Sequence, residues 1–170
     1  VFDEIGGFDE DLVRNQDDEL NYRLTQKGYK ILYNPEIQSQ YYVRGSIKKL
    51  YKQYYQYGYW KVFVNKKHKT VTTVRQLVPL GLVLGCFVGL FVSLFYPKFA
   101  FILSTGLLTY VLLAIVFGLK QGSSLIEGFN VAKVFPVLHF SYGFGYLIGL
   151  IQFVVLGKKP SKRSKGLTRG

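Results

Sequence analysis

The sequence predicts a membrane-bound protein with a short α/β segment, an amphipathic interfacial helix, and an α-helical membrane region of two or three transmembrane helices. Apolar residues make up 49% of the 170 positions, yet the net charge is +12. The charges are also segregated, because residues 1–40 hold nine of the ten acids and residues 41–75 hold nine basic residues and no acid. This pattern excludes a single soluble core and a uniformly basic nucleic-acid binder.

Four segments follow one another along the chain. We name residues 1–45 the acidic head, residues 46–75 the basic collar, residues 76–157 the membrane region, and residues 158–170 the basic tail, which holds six basic residues and no acid. The chain starts at Val1 and contains no Met, so we interpret it as the C-terminal part of a longer protein. A single cysteine, Cys86, allows no disulfide within the chain.

The membrane region begins with two uncharged apolar runs. Residues 77–95 and 99–119 are each long enough, at about 1.5 Å per residue, to cross the roughly 30 Å hydrocarbon core of a bilayer. Only residues 96–98 separate the two runs, which predicts a tight transmembrane hairpin. Residues 120–133 are polar and contain glycine, and they suit an interfacial loop or a short surface helix.

A third apolar run, residues 134–156, contains His139, Pro136 and three glycines. The basic collar places residues 41–75 in the cytoplasm, because positively charged flanks stay inside. Three full spans would put the basic tail outside, against the same rule. The third run is therefore either a span with an exceptional tail, a re-entrant segment, or a helix partly in the interface.

The acidic head is predicted to contain one helix followed by extended chain. In residues 15–27, Leu20 and Leu24 share a helical face, with Asn15 as N-cap and Gly28 at the end. Residues 29–33 are predicted to form a strand, and residues 37–43 a second strand or an extended segment, on either side of an Asn-Pro turn. Asp17, Asp18 and Glu19 fall in the first helical turn, where they could serve only as caps on a solvated face.

A longer string of residues resembles a known family. Its parts, in order, are Gly6-Gly7-Phe8-Asp9-Glu10, an acidic pair, Glu19-Leu20, Arg23-Leu24 and Gly28-Tyr29-Lys30-Ile31. This order, over about residues 1–61, resembles the C-terminal half of the catalytic domain of family-2 glycosyltransferases, the inverting GT-A type. The resemblance implies that the acidic head is the α/β C-terminal part of a GT-A domain.

The resemblance also implies a catalytic base. In that family the aspartate of an acidic pair at the start of this helix deprotonates the acceptor hydroxyl. The matching pair here is Gln16-Asp17, which implies Asp17 as the base and Asp18 as the runner-up; Gln16 stands where the family has an acid. Inversion by direct displacement needs such a positioned carboxylate.

The basic collar predicts an amphipathic helix from Ser46, the N-cap, through Lys61. Tyrosines and Trp60 alternate with lysines, and residues of these types gather at headgroup depth, where Lys48 and Lys49 would meet anionic lipids. An interfacial anchor could account for the whole segment. His68, which follows it, is predicted to be a solvated surface residue, and His139 is predicted to serve helix packing.

A second interpretation of the collar comes from the resemblance. Gln56 and Trp60 have the spacing of the QxxRW motif of membrane-bound polysaccharide synthases of the same family, which implies that both border the acceptor. Tyr59 stands at the Arg position, so the string is more similar to succinoglycan-type, non-processive relatives. Lys61 could supply the phosphate contact.

The resemblance implies a membrane enzyme that transfers a sugar from a nucleotide-sugar donor to a lipid-linked or glycan acceptor at the cytoplasmic face of a bacterial or archaeal plasma membrane. A divalent metal, Mg or Mn, is expected for the full-length enzyme, with ligands outside this chain. Anionic membrane lipids are further expected partners, and no nucleic acid is expected. The alternative is a non-catalytic membrane anchor or assembly subunit.

Overall fold

The computed structural model describes residues 1–42 and 45–160, and within these ranges all regular secondary structure is helical. The helices are α1 (Phe2–Ile5), α2 (Gln16–Gln26), α3 (Ile47–His68), α4 (Leu77–Ser93), α5 (Pro97–Gln121) and α6 (Leu125–Gly149). A 3-10 turn (Val74–Gln76) leads into α4, and a π-helical turn (Leu150–Val155) continues α6.

Helix α2 confirms the predicted helix of the acidic head. Leu20 is buried on its inner face together with Leu12 from the preceding loop. Gly28 ends the segment at φ +81°, a left-handed conformation that glycine adopts without steric cost. Asn15 occupies the N-cap position but does not accept a hydrogen bond there. Its amide instead donates to the carbonyl of Tyr57 at 3.1 Å, which fastens α2 to α3.

The predicted strand at residues 29–33 is wrong, and residues 37–42 do not form a second strand. Residues 29–42 form no strand, and Leu32, Tyr33 and Tyr42 are 91%, 84% and 86% exposed. A β-strand is stable only when it pairs with others, and the described part of the head offers no partner strand. Residue 43, the last of the second predicted strand, lies outside the described residues.

Helix α3 confirms the collar helix and extends it to His68. The Ser46 hydroxyl caps it by accepting a hydrogen bond from the Lys49 amide at 3.3 Å. Its N-terminal half is largely exposed, whereas Tyr59, Trp60 and Val64 in the second half are buried. The helix therefore has a solvated basic end and an end that is packed into the protein.

Helix α3 packs side by side with α6, and three glycines allow the close approach. A Cβ atom on Gly58 would overlap the Tyr142 carbonyl, and one on Gly145 would overlap the carbonyl of Tyr55. Gly149 lies in the same way against Tyr59. The contacts advance in the same direction along both helices, so α3 and α6 are parallel.

Polar side chains reinforce this helix pair. The Tyr59 hydroxyl donates to Gln152 at 2.7 Å, and Asn65 donates to the hydroxyl of Tyr146 at 2.9 Å. The ammonium of Lys66 donates to the Phe153 carbonyl at 2.5 Å, where the helical hydrogen bonding loosens into the π turn. The C-terminal part of the third apolar run thus lies against the collar.

Three helical segments in the described residues are long and apolar enough to cross a membrane: Val74–Ser93, Pro97–Gln121 and Leu125–Val155. The first two confirm the predicted hairpin, and residues 94–96 join them. Helices α4 and α5 expose apolar side chains around most of their circumference, as expected for helices in lipid.

The third apolar helix begins earlier than predicted. Only residues 122–124 separate α5 from α6, so the polar segment predicted for residues 120–133 is mostly helical. Ser124 caps α6 by accepting from the Glu127 amide at 3.3 Å, and Glu127 accepts from the Ser123 amide in return. Gly118 and Gly128 bring α5 and α6 into backbone contact at this end.

Helix α6 touches all three of the other long helices. Its first turns lie on the C-terminal end of α5, and Gly143, farther along, lies against the carbonyl of Pro79 at the start of α4. Between these contacts, His139 Nδ1 and the Tyr110 hydroxyl are 2.8 Å apart, so this histidine packs between helices as predicted. Residues 145–153 then follow α3.

Candidate functional site

A cavity of about 660 Å³ opens where the acidic head meets the start of α4. Its walls come from the loop before α2, the first turn of α2, the middle of α3, the 3-10 turn and α6. The lining residues are Phe8, Val13, Arg14, Asn15, Gln16, Asp17, Asp18, Tyr57, Lys61, Thr73, Arg75, Gln76, Pro79 and Tyr142. Segments far apart in sequence therefore share one polar cavity beside an apolar helix.

The three consecutive acids of α2 lie in three different environments. Asp17 is exposed on the cavity wall and forms no ion pair within the described ranges. Asp18 also lines the cavity, but its carboxylate is paired with the ammonium of Lys61, which is 6% exposed. Glu19 is 1% exposed and faces away from solvent. Of the three, Asp17 has the carboxylate available for proton transfer.

Glu19 organises the loop that precedes the site. Its carboxylate accepts from Arg23 at 2.8 and 2.9 Å, and Arg23 in turn donates to the carbonyls of Ile5 and Gly7. His68 Nε2 lies 2.8 Å from the same carboxylate. The prediction of a solvated His68 is wrong, because α3 extends far enough to bring this ring onto α2.

Asp9 fastens the same loop to α3. Its carboxylate pairs with the Lys67 ammonium at 2.5 Å and accepts from the Asp11 amide at 3.1 Å. Partial burial opposes ionisation, but these two donors outweigh it and hold the pKa of Asp9 below its ordinary value. The acidic head is therefore attached to the collar at Asp9, at Asp18 and at Glu19.

The structure places only some of the predicted acceptor-site residues at the cavity. Lys61 lines it, and Gln56 lies behind it, accepting a hydrogen bond from Arg14 at 3.3 Å. Trp60 is 1% exposed and packs its ring against Tyr59, Phe63 and Phe153. Trp60 does not line the cavity, because its face of α3 is the one that packs on α6.

The predicted lipid contacts, Lys48 and Lys49, lie in the first turn of α3 and are exposed. They do not line the cavity. The structure therefore separates them from Lys61, which lies four turns of helix farther along and is buried.

Sequence reasoning missed several polar residues of the cavity lining, among them Arg14, Arg75, Gln76 and Tyr142. Arg14 precedes the helix that carries the acids, and Arg75 is the last charge before the first apolar run. The sequence shows that each of these two arginines lies just before a helix. It does not show that they meet at one cavity, because that depends on how α3 and α6 pack.

The described residues do not assemble a metal site. Within residues 1–42 and 45–160, no three His, Cys, Asp or Glu side chains come close enough to hold a metal ion. Two carboxylates line the cavity. Asp17 is exposed, and Asp18 is already paired with Lys61. This set does not fit a divalent metal, and we derive no chemical step through one.

Comparison with known proteins identifies two relatives. The chain is 35% identical over 82 residues to the succinoglycan biosynthesis protein ExoA of Rhizobium meliloti, a match over 48% of this chain and 25% of that protein. It is 43% identical over 60 residues to the dolichyl N-acetyl-alpha-D-glucosaminyl phosphate 3-beta-D-2,3-diacetamido-2,3-dideoxy-beta-D-glucuronosyltransferase of Methanococcus voltae, over 35% of this chain and 19% of that enzyme. The chain is glycosyltransferase-like.

This glycosyltransferase-like chain spans about a quarter or less of the length of these curated relatives. No protein-family model and no solved structure matches it. The names of the relatives and the three apolar helices support the resemblance to membrane-associated glycosyltransferases of polysaccharide biosynthesis.

Proposed function

We propose that this chain is the C-terminal part of an inverting family-2 glycosyltransferase, with the acidic head completing a GT-A catalytic domain. The enzyme transfers a sugar from a nucleotide-sugar donor to a lipid-linked or polysaccharide acceptor. One observation supports this most directly: the free carboxylate of Asp17 lies on a cavity wall that also includes the start of a membrane helix. A soluble sugar donor and a membrane-bound acceptor can meet at such a place.

In the proposed reaction, Asp17 accepts the proton of the acceptor hydroxyl as that oxygen attacks the anomeric carbon of the donor. The nucleotide leaves from the opposite face of the sugar, which inverts the configuration. A positioned base of this kind contributes roughly a hundredfold to ten-thousandfold in rate. Asp18 is less suited to the role, because its carboxylate is held by Lys61. Lys61 thereby positions the first turn of α2 against α3.

The divalent metal expected for this family has no fitting ligand set here, so we propose that other parts of the enzyme hold it. The two exposed lysines at the start of α3, Lys48 and Lys49, are proposed to contact anionic lipids rather than the acceptor. Neither lysine is among the residues that line the cavity, which supports this separation of roles.

We further propose that the acidic head, the collar and the C-terminal end of α6 all lie on the cytoplasmic side. The basic collar carries the charge that favours this orientation. The Lys66–Phe153 and Tyr59–Gln152 contacts place the end of α6 beside α3. A chain that leaves the collar and returns to it crosses the membrane an even number of times. Helices α4 and α5 are the two crossings, and α6 is an interfacial or re-entrant helix.

The decisive experiment is Asp17→Asn in the full-length enzyme, with Asp18→Asn as the matched control. Asp17→Asn removes the proton acceptor and breaks no ion pair, so we expect transfer to fall at least about a hundredfold with donor binding and thermal stability close to wild type. Asp18→Asn leaves the buried Lys61 without its partner, so we expect lower stability with transfer retained in the folded fraction.

Transfer, donor binding and thermal unfolding are measured on the same preparations. Loss of transfer in Asp18→Asn alone would move the base to Asp18. Full transfer in both variants would refute the base and favour the alternative function, a membrane anchor whose acids only cap a helix.

A further inference from the structure

The cavity lining includes a cation that the proposed mechanism does not use. Arg75 lies in the 3-10 turn, two residues before α4, and it is exposed. Among the residues described, no carboxylate pairs with it. Arg75 therefore lies where the cavity meets the apolar helix, without an ion pair in the described part of the chain.

Next to it lies a buried hydrogen-bond donor without a partner. Gln76 is 6% exposed and lines the same cavity. Its Oε1 accepts from Asn65 Nδ2 at 3.0 Å, whereas its Nε2 meets no acceptor in the described part of the chain. Burying a donor without an acceptor is unfavourable, so this amide is suited to bind an acceptor from outside the described residues.

The orientation of the Gln76 amide is set by its neighbours. Asn65 Oδ1 accepts from both the amide and the hydroxyl of Thr72, each at 3.2 Å. Asn65 therefore donates to Gln76 from its Nδ2, and Gln76 accepts with its Oε1. The NH2 end of Gln76 is the end left for the cavity.

Tyr142 belongs to the same cavity lining, and its hydroxyl can supply a further donor. Pro79 adds an apolar residue to the lining, at the start of α4. Arg75, Gln76 and Tyr142 together offer hydrogen-bond donors, one of them a permanent cation, at the edge of an apolar surface. An oxyanion on an apolar chain matches both properties.

We propose that Arg75, Gln76 and Tyr142 form a subsite for a lipid-borne phosphate. The inference rests on the proposed function and deepens it, since Asp17, which lines the same cavity, would then act on the acceptor that this phosphate carries. The phosphate could belong to a lipid-linked acceptor or to a membrane phospholipid headgroup. The chemistry recognised is the same, and the experiment separates the two sources.

The test measures binding directly, without sugar transfer. Purified full-length enzyme is titrated with phosphatidylcholine vesicles that contain a polyprenyl phosphate, the unphosphorylated polyprenol, or phosphatidylglycerol. We expect the polyprenyl phosphate to bind best. Arg75→Ala should weaken that binding about tenfold to a hundredfold, the range for loss of a charge-assisted hydrogen-bond pair, and Arg75→Lys should restore only part of it.

The control variant is Lys120→Ala, which removes an exposed cation near the membrane but outside the cavity, and it should bind as wild type does. Gln76→Glu keeps the acceptor for Asn65 and replaces the donor with an anion, so it too should weaken phosphate binding. Asp17→Asn should leave binding unchanged even though it abolishes transfer.

Three results would overturn the subsite. Equal binding of the polyprenol and its phosphate would exclude phosphate recognition. Tighter binding to vesicles with phosphatidylglycerol than to vesicles with the polyprenyl phosphate would assign the site to phospholipid headgroups. It would refute a role of the site in binding the acceptor. Equal losses in Arg75→Ala and Lys120→Ala would show only a general surface charge effect. If Asp17→Asn loses transfer but keeps lipid binding, the result supports both the proposed base and the phosphate subsite. Transfer tests the base and lipid binding tests the subsite, so the failure of one proposal can be distinguished from the failure of the other.

Discussion

Single residues of one type behave differently at this site because their neighbours differ. Asp17, Asp18 and Glu19 are adjacent in sequence, but one is free, one is paired with a buried lysine and one is buried against Arg23 and His68. A carboxylate that serves as a base needs an uncommitted oxygen, whereas one that fastens two helices needs a partner. Of the three adjacent carboxylates, two therefore fasten helices, and Asp17 keeps the uncommitted oxygens that the proposed base needs.

Asp9 gives a pH prediction at this scale. Its pKa is lowered in the folded protein, so its contribution to stability is complete above its unfolded pKa of about 3.9 and is lost as the pH falls through the lower folded value. Lys67→Ala should remove this contribution, which is below about 1 kcal/mol because Lys67 is 45% exposed.

The check is the thermal unfolding midpoint in detergent between pH 7 and pH 3. Lys67→Ala should lie below wild type at pH 7 and converge with it under acid conditions. Lys52→Ala, a change at an exposed lysine on the same helix, is the control and should follow wild type throughout. A constant gap between Lys67→Ala and wild type over the whole range would contradict the ion pair.

At the scale of elements, glycines decide which helices meet. Gly145→Ala should push α6 away from α3, because the added methyl group overlaps the main chain of Tyr55, which cannot rotate aside. We expect a loss of about 1–3 kcal/mol in unfolding free energy, the usual range for overpacking. Gly85→Ala in α4 meets nothing within 4 Å and should be neutral or slightly stabilising.

Unfolding of both variants in detergent distinguishes these outcomes. If Gly145→Ala proved as stable as Gly85→Ala, the close parallel packing of α3 on α6 would be wrong. The even number of crossings inferred from that packing would then lose its basis.

At the scale of the whole molecule, the packing of the end of α6 on α3 is the basis of the proposed topology, in which α4 and α5 are the two crossings. Cys86 is the single cysteine, so Cys86→Ser provides a background for labelling. With Lys69→Cys, Lys98→Cys and Lys158→Cys introduced one at a time, an impermeant maleimide applied outside intact cells should label only position 98. Positions 69 and 158 should react only after permeabilisation. Labelling of both 98 and 158 from outside would show that α6 crosses the membrane.

Sequence alone was sufficient for features that depend on neighbours in the chain. The N-cap at Ser46, the end of α2 at Gly28 and the hairpin of α4 and α5 follow from local hydrogen-bonding groups, backbone freedom and hydrophobic length. The choice of Asp17 over Asp18 came from a resemblance and stays a prediction. The strand predicted at residues 29–33 is wrong, because a strand needs a partner that local sequence does not reveal.

The charge segregation, the amphipathic collar and the apolar runs were determined by the sequence itself, because charge and hydropathy act residue by residue. Only the tertiary structure decided that Trp60 is buried, that His68 reaches Glu19, and that Arg75 faces the cavity of Asp17. Each depends on a contact such as Tyr59 to Gln152, whose partners are 93 positions apart. Such contacts are set by which glycine-lined surfaces fit together, and packing of that kind has no signature in the periodicity of either helix alone.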